Sequence, residues 1–509
     1  MKHWCIAALI LVSAAGIRLT GLDRQALWGD EACMVFLCQE SSTDIVDALA
    51  SSDRPDVDVA PPLYFLLLHG WMRLLGTSIW AFRGFSALFG VLAVAAVMGL
   101  GRRLFNTATG LFAGALAAIH PFQVWYSQEG RMYAMAAFLA AAAMWSAVAA
   151  MNSPRRWYMW LGFGISGVAL LYTQYYGALL LTALVLGMLL QICGESDRRR
   201  ERILGLAGTL LVWTAAFAPW LPVLVTDYRH AGAPGGFPLM FDWLQTPIFL
   251  YIKALLFGNQ NYIMDHLWLY PIPMLAGTLL LLSALRSIRN PHVKIMVWAG
   301  AFPFAVVYGL SLLGLRVYKS HPFIIFHPAL IVLIAWGYMK MRRHWRYGTM
   351  AIFVAAQLFI LTTLVLGGDY VKPRSDDAAA WIETRSGPDA RVAVIPAFIP
   401  NPMPIVGDLL AFRYHAGPRF DTVYLTGDTA DDLVRAVTAF ASENPGGSKT
   451  ISRPNRMHVV CQLNHQVQPY LDAVFEILDQ RWRREDEIVL DSRIRGFGMM
   501  IVVYEIRSL

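Results

Sequence analysis

Runs of 17–22 apolar residues recur from near the N-terminus to residue 367, separated by short basic clusters, and leave this 509-residue chain few folds to adopt. Each run is near the length a helix needs to cross the hydrocarbon core of a bilayer. They fall at about 4–20, 80–101, 108–125, 131–151, 157–173, 175–193, 203–222, 266–285, 293–314, 321–339 and 346–367, eleven in all. With 57% hydrophobic and only 15% charged residues, the chain reads as a polytopic α-helical membrane protein of about eleven transmembrane helices.

The net charge of +7 is a topology signal. Arg102 and Arg103, Arg155 and Arg156, Arg198–Arg200 with Arg202, Arg286 with Arg289 and Lys294, and Lys340 with Arg342, Arg343 and Arg346 occupy every second loop. By the positive-inside rule those loops and Lys2 are cytoplasmic, and an odd number of crossings puts the C-terminus outside. The clusters interrupt apolar runs rather than line one amphipathic face, which argues against a nucleic-acid partner. The 4–20 run reads either as a signal peptide or as a first membrane helix. The retained helix is preferred, because its removal would leave the acidic stretch that follows with no anchor.

The opposite loops hold residues 21–79, 120–130, 173–176, 223–265 and 315–320, with Trp28, Trp125, Tyr126, Tyr172, Tyr175 and Tyr176 forming an interfacial aromatic belt. Residues 61–76 are apolar but short, and a crossing there would invert every later loop, so an interfacial or re-entrant helix is expected. After Gly368 the composition changes. Strand-like runs at 392–395, 422–425, 458–463, 488–490 and 499–506 alternate with helical patterns at 375–386, 429–443 and 468–482. This predicts a transmembrane domain over 1–367, with 21–79 as its outer loop, and an extracytoplasmic α/β domain over 368–509.

Charge on the outer face needs a reason. Asp30 and Glu31 lie in Leu27–Met34, and Asp53, Asp56 and Asp58 precede Pro61-Pro62. Such carboxylates suit a general base or a divalent-metal ligand; Asp53 and Asp56 read more simply as a solvated loop. In the second cluster, His120 to Tyr133, Pro121 ends one helix and Ser127 is expected to cap the next, with Glu129 in its first turn. Arg131 opposes that dipole, so it reads as an anion site for a phosphate, an ion pair with Glu129 or Asp30 being the plainer account. Arg316, Lys319 and His321 form a third cluster that suits either a headgroup phosphate or snorkelling. His69 and His327 read as hydrogen-bonded core histidines, and the five cysteines show no metal-type spacing.

Trp28-Gly-Asp30-Glu31, the Pro61-Pro62-Leu-Tyr-Phe-Leu-Leu-Leu-His69 run leading to Gly76 and Arg83, and Tyr126-Ser-Gln-Glu129-Gly-Arg131-Met-Tyr133 together resemble the GT-C glycosyltransferases, in particular family 39-like proteins related to protein O-mannosyltransferases and the lipid A aminoarabinose transferase. The resemblance implies a polyprenyl-phosphate-linked sugar donor, transfer on the extracytoplasmic face and inversion at the anomeric carbon. It implies Asp30 as base or acceptor-positioning group with Glu31 supporting it, and Asp58 as a second acidic position. Arg131 would face the donor phosphate. Apart from the resemblance, Arg316 and Lys319 are further candidates for the donor phosphate, Glu129 for a second acidic position, and Tyr133, His69 and Arg83 for supporting residues. Two departures stand out: Gln174 replaces a histidine common in relatives, and Val59-Ala60 precede the Pro-Pro run. Metal use differs across the superfamily and is left open. The acceptor is a lipid, a glycan or a protein. A transporter or flippase of a lipid-linked sugar is the rival reading, but transporters place charge near mid-membrane and show paired repeats, and this chain does neither. A non-catalytic scaffold for the exported domain is a third.

Overall fold

The computed structural model describes residues 2–51, 60–194, 197–231, 256, 271–312, 321–365, 374–386, 390–395, 406–417, 420–424, 430–442, 456–463, 468–491 and 498–505. In chain order the helices up to residue 365 are α1 (Lys2–Leu19), α2 (Gly29–Leu37), α3 (Ser42–Ala50), α4 (Leu63–Leu75), α5 (Ile79–Leu104), α6 (Thr107–Ile119), α7 (Pro121–Ser127), α8 (Tyr133–Asn152), α9 (Trp157–Leu171), α10 (Gly177–Gly194), α11 (Arg199–Phe217), α12 (Leu221–Ala231), α13 (Pro271–Leu285), α14 (Pro291–Leu312), α15 (His327–Lys340) and α16 (Arg343–Val365). Two compact units emerge. The first comprises Met1–Leu22, Ser42–Ala50 and Val59–Gly367, the second Asp23–Ser41, Ser51–Asp58 and Gly368–Leu509.

In the first unit a helix overlaps every expected span, yet seven helices among the described residues are long and apolar enough to cross a membrane. For two of the spans the difference has a local cause. The expected 108–125 span is broken where Pro121 starts α7, and 321–339 divides into a short 3₁₀ turn, His321–Ile325, and α15 with Pro at its start. The 61–76 run is the 13-residue α4. α8 lies at the centre, its Ala-rich surface packed against α5 and α9 and buried nearly all round. Small side chains let those backbones approach, which is how apolar helices associate without a hydrophobic drive between them.

The two units divide between Gly367 and Gly368, where the change of composition lies. Residues 23–41, expected as part of the outer loop of the membrane domain, cluster instead with the C-terminal residues. The second unit adds α17 (Ser375–Ser386), α18 (Val406–Ala416), α19 (Ala430–Ser442) and α20 (Gln468–Arg481) to strands β1 (Arg391–Ile395), β2 (Asp421–Tyr424), β3 (Arg456–Leu463), β4 (Arg483–Asp491) and β5 (Gly498–Glu505). The sheet order is β2-β1-β3-β5-β4, parallel through β3 and antiparallel beyond it. Period-2 alternation sorts the strands into two cores. Ala393, Ile395, Met457, Val459 and Val502 meet α19 and α20 on one face, while Val392, Val394, Val460 and Ile501 meet α17 and α18 on the other. The result is a three-layer α/β/α sandwich. Helix α18 has no counterpart among the elements expected from sequence.

Candidate active site

The first unit joins the second and third motifs. His120 ends α6 and caps α7, its Nδ1 accepting from the Phe122 N–H at 3.2 Å, and Pro121 fixes the first turn of α7. α7 stops at Ser127, and α8 starts only at Tyr133 with Met132 as its N-cap. The expected Ser127 cap is therefore corrected: its hydroxyl donates back to the Gln123 carbonyl and accepts from Arg18 Nε at 3.2 Å, so it is not available to cap α8. Glu129, Gly130 and Arg131 form a non-helical turn between the two helices. Arg131 thus precedes the N-terminus of α8 instead of opposing the dipole from within its first turn.

That turn is buried, with Glu129 and Arg131 each 4% exposed. The Arg131 N–H donates to Glu129 O at 2.7 Å, and Arg131 O accepts from Ser86 Oγ at 3.1 Å. Since the single Ser86 proton goes to that carbonyl, the Tyr64 hydroxyl must donate in the 2.7 Å contact between Tyr64 and Ser86. The Pro-Pro run, through α4 and Tyr64, thereby fixes the backbone that carries Arg131. The Arg131 guanidinium lies 5.6 Å from the Tyr133 ring and 3.4 Å from its hydroxyl. Tyr133 packs edge-on against Tyr126 at 4.9 Å and, tilted, against His321 at 5.0 Å. Gly130 is required here: a Cβ would fall 1.9 Å from Phe82 Cε1.

Two residues overlooked in the sequence lock this turn. Arg18, fully buried, donates to Ser127 and to the carbonyls of Ala117 and Ala118 at 3.1 and 3.0 Å, in the last turn of α6. Gln128 Nε2 in return caps the end of α1, donating to Thr20 O at 2.8 Å and Ile17 O at 3.2 Å. The fork of donors on Arg18 meets helix-terminal carbonyls that only the packing of α1 on α6 brings near. A third is Asp227, from the long 223–265 segment, whose carboxylate accepts from the Tyr175 hydroxyl at 2.9 Å while Trp220 Nε1 donates to that hydroxyl at 3.0 Å.

The remaining expected residues are placed as follows. Arg83 is buried and donates to Leu22 O at 2.6 Å; His69 is buried on α4. His327 is fully buried, with Gln123 Nε2 3.0 Å from its Nδ1 and the His120 ring at 4.2 Å, as a core histidine should be. Asp30 and Glu31 stand in the first turn of α2, in the second unit, Asp30 exposed and Glu31 fully buried. Their charge suits the positive end of that helix. Asp58, Arg316 and Lys319 lie outside the described residues. Among the described residues no group of three or more His, Cys, Asp or Glu side chains is arranged to hold a metal ion. Beside Pro62, an apolar groove of about 580 Å³ is lined by Leu63, Leu66, Val168, Tyr172 and Val212, with no polar lining.

Residues 59–223 match the family described as dolichyl-phosphate-mannose-protein mannosyltransferase, a stretch that contains the Pro-Pro run and the Glu129–Arg131 turn and begins beyond Asp30. The fold is similar to that of ArnT from Cupriavidus metallidurans, both bound to undecaprenyl phosphate (TM-score 0.57, 15% identity, 98% of each chain) and in the apo state (TM-score 0.59, 15% identity, 98% of this chain and 97% of that one). It is also similar to the archaeal oligosaccharyltransferase AglB from Archaeoglobus fulgidus in complex with an inhibitory peptide and a dolichol-phosphate (TM-score 0.51, 12% identity, 96% of this chain and 73% of that one). No curated protein matches the chain in sequence. The chain has the fold of the GT-C glycosyltransferases, which are polytopic membrane proteins, as its three motifs imply.

Proposed function

We propose that this protein is an inner-membrane glycosyltransferase that takes a hexose or pentose from a polyprenyl-phosphate donor and places it on an acceptor hydroxyl or amine, on the extracytoplasmic face, with inversion. The observation that carries this reading is Arg131: a buried guanidinium ahead of a helix N-terminus, on a backbone fixed by Ser86 and Tyr64, is built to receive an anion. The apolar groove beside Pro62 suits a lipid-linked substrate. In this scheme the acceptor O–H or N–H gives its proton to the Asp30 carboxylate, with Glu31 supporting it. The acceptor atom bonds to the anomeric carbon from the side opposite the phosphate, and the C–O bond to phosphate breaks with its electron pair on oxygen. Arg131, with Arg316 and Lys319, offsets the charge that develops on the departing polyprenyl phosphate. Asp58 and Glu129 are second acidic positions for acceptor or metal, and Tyr133, His69 and Arg83 support the fold around them.

The membrane orientation proposed is multi-pass, with a cytoplasmic N-terminus and an extracytoplasmic α/β unit. The acceptor is a lipid, glycan or protein, with lipid or glycan preferred. The test supplies membranes with a panel of radiolabelled polyprenyl-phosphate sugars and compares wild type with Asp30→Asn at matched abundance. Labelled product from wild type alone, with donor binding retained by the variant, supports the enzyme. Donor movement across the bilayer by both proteins without any transfer would instead establish the flippase.

A further inference from the structure

We infer that the C-terminal unit is part of the catalytic apparatus, because it holds the acidic helix α2 in place, and that His415 and Arg413 are the positioning residues. The inference rests on the proposed role of Asp30. Helix α18 has two jobs, separated by its periodicity. Phe412 and Ala416, four residues apart on one face, are buried in the core over β1 together with Val392, Val394 and Ile501. Helix α2 packs on α18, and the residues between those two anchors reach the acidic segment: His415 Nε2 accepts the Leu27 N–H at 3.1 Å, and the Arg413 guanidinium lies 5.2 Å from the Phe36 ring. Leu27 is two residues before the start of α2, and Phe36 is in its last turn, so the helix is held at both ends. Its burial agrees: Ala32, Met34, Val35 and Leu37 are all at most 3% exposed, while Asp30 stays exposed.

Because a backbone N–H only donates, His415 must present an unprotonated Nε2, and any replacement must accept at that position. A glutamine carbonyl meets that requirement at similar reach; alanine and lysine do not. Side chains whose rotamers are locked by a core are the means by which a catalytic group keeps its angle, and here the core belongs to the sheet.

The test uses the full-length protein in nanodiscs. It reads hydrogen exchange of the 27–38 amides, transfer from whichever labelled donor wild type uses, and affinity for undecaprenyl phosphate. His415→Ala is expected to speed exchange at 27–38 and to lower turnover about 10-fold or more, leaving undecaprenyl phosphate affinity within about 2-fold; misplacement of a reacting group costs rate on that scale. His415→Gln restores both exchange and turnover, His415→Lys neither, and Arg413→Ala reproduces part of the loss. Wild-type turnover in His415→Ala, with or without faster exchange, overturns the inference, as does an equal loss in the Ala and Gln variants. Asp30→Asn in the same assay separates the two claims: full transfer by that variant removes the catalytic reading, whereas its inactivity beside an unaffected His415→Ala removes only the positioning role.

Discussion

Arg18 Nε lies 3.2 Å from the hydroxyl of Ser127, a contact across 109 positions of sequence that ties the first membrane helix to the turn carrying Glu129 and Arg131. Around it, Arg18 caps α6 while Gln128 caps α1. Each helix end supplies carbonyls that have no partner within its own helix, and each is completed by a side chain from the other side of the joint.

Breaking that joint is expected to destabilise the membrane unit. Arg18→Met leaves the Ala117 and Ala118 carbonyls short of donors in a buried place, at a cost of about 2–4 kcal/mol. Thermal melts of the purified protein should show it as a clear fall in melting temperature. Gly90→Ala should act on the same joint, since its Cβ would fall 2.1 Å from Ser127 Oγ. Overpacking of this kind costs about 1–3 kcal/mol, and a melt unchanged by both variants would refute the account.

Gly130→Ala should lower transfer by about 10-fold or more without unfolding the protein, because the new methyl collides with the Phe82 ring and must displace the turn that carries Arg131. The companion Phe82→Ala should recover activity in the double variant. Independent, additive losses would show that the two residues do not act through this contact.

Arg131 is proposed to meet the donor phosphate. Charge-assisted hydrogen bonds contribute about 1.5–3 kcal/mol, so Arg131→Ala should weaken undecaprenyl phosphate binding by about 10- to 100-fold. Arg131→Lys should recover part of the affinity but less of the rate, since a lysine keeps the charge without the fork. Equal affinity in all three proteins, measured by titration in nanodiscs, would place the phosphate elsewhere.

The C-terminal unit should weaken in mild acid. Burial in the central strand β3 pushes His458 down to about 4, with Arg456 adding and the Arg391 backbone and Glu485 opposing, and its Nε2 lies 3.1 Å from Ser386 Oγ. The unfolded chain takes up a proton near pH 6.5 and the folded chain only near 4, so the contribution is complete above about 6.5 and is lost as pH falls toward 4. Its size is on the order of 3 kcal/mol. Hydrogen exchange in β1 and β3, corrected for intrinsic rate between pH 7.5 and 5, should show the loss, and His458→Gln should flatten the dependence.

The three motifs were readable because each packs its chemistry into at most 23 consecutive residues, and the strands of the second unit because period-2 alternation reports burial on a sheet. The N-cap reading of Ser127 failed for a nonlocal reason: the hydroxyl is engaged by Gln123 and by Arg18, and the second of these lies far away in sequence. Arg18, Gln128, Asp227 and α18 carry no local signature either, since each is explained only by its partner.

The amino-acid sequence by itself determined the membrane class, the shortness of α4, the strand pattern after residue 390 and the candidate residues Asp30, Glu129 and Arg131. Hydropathy, charge and spacing are properties of neighbouring residues, and those persist whatever the fold. Only the tertiary structure decided that residues 23–41 belong with the C-terminal unit, that Tyr64 and Ser86 fix the Arg131 backbone, and that His415 completes the N–H of Leu27. Those are pairings between distant segments, and a donor's partner is chosen by which backbones the packing brings within about 3 Å.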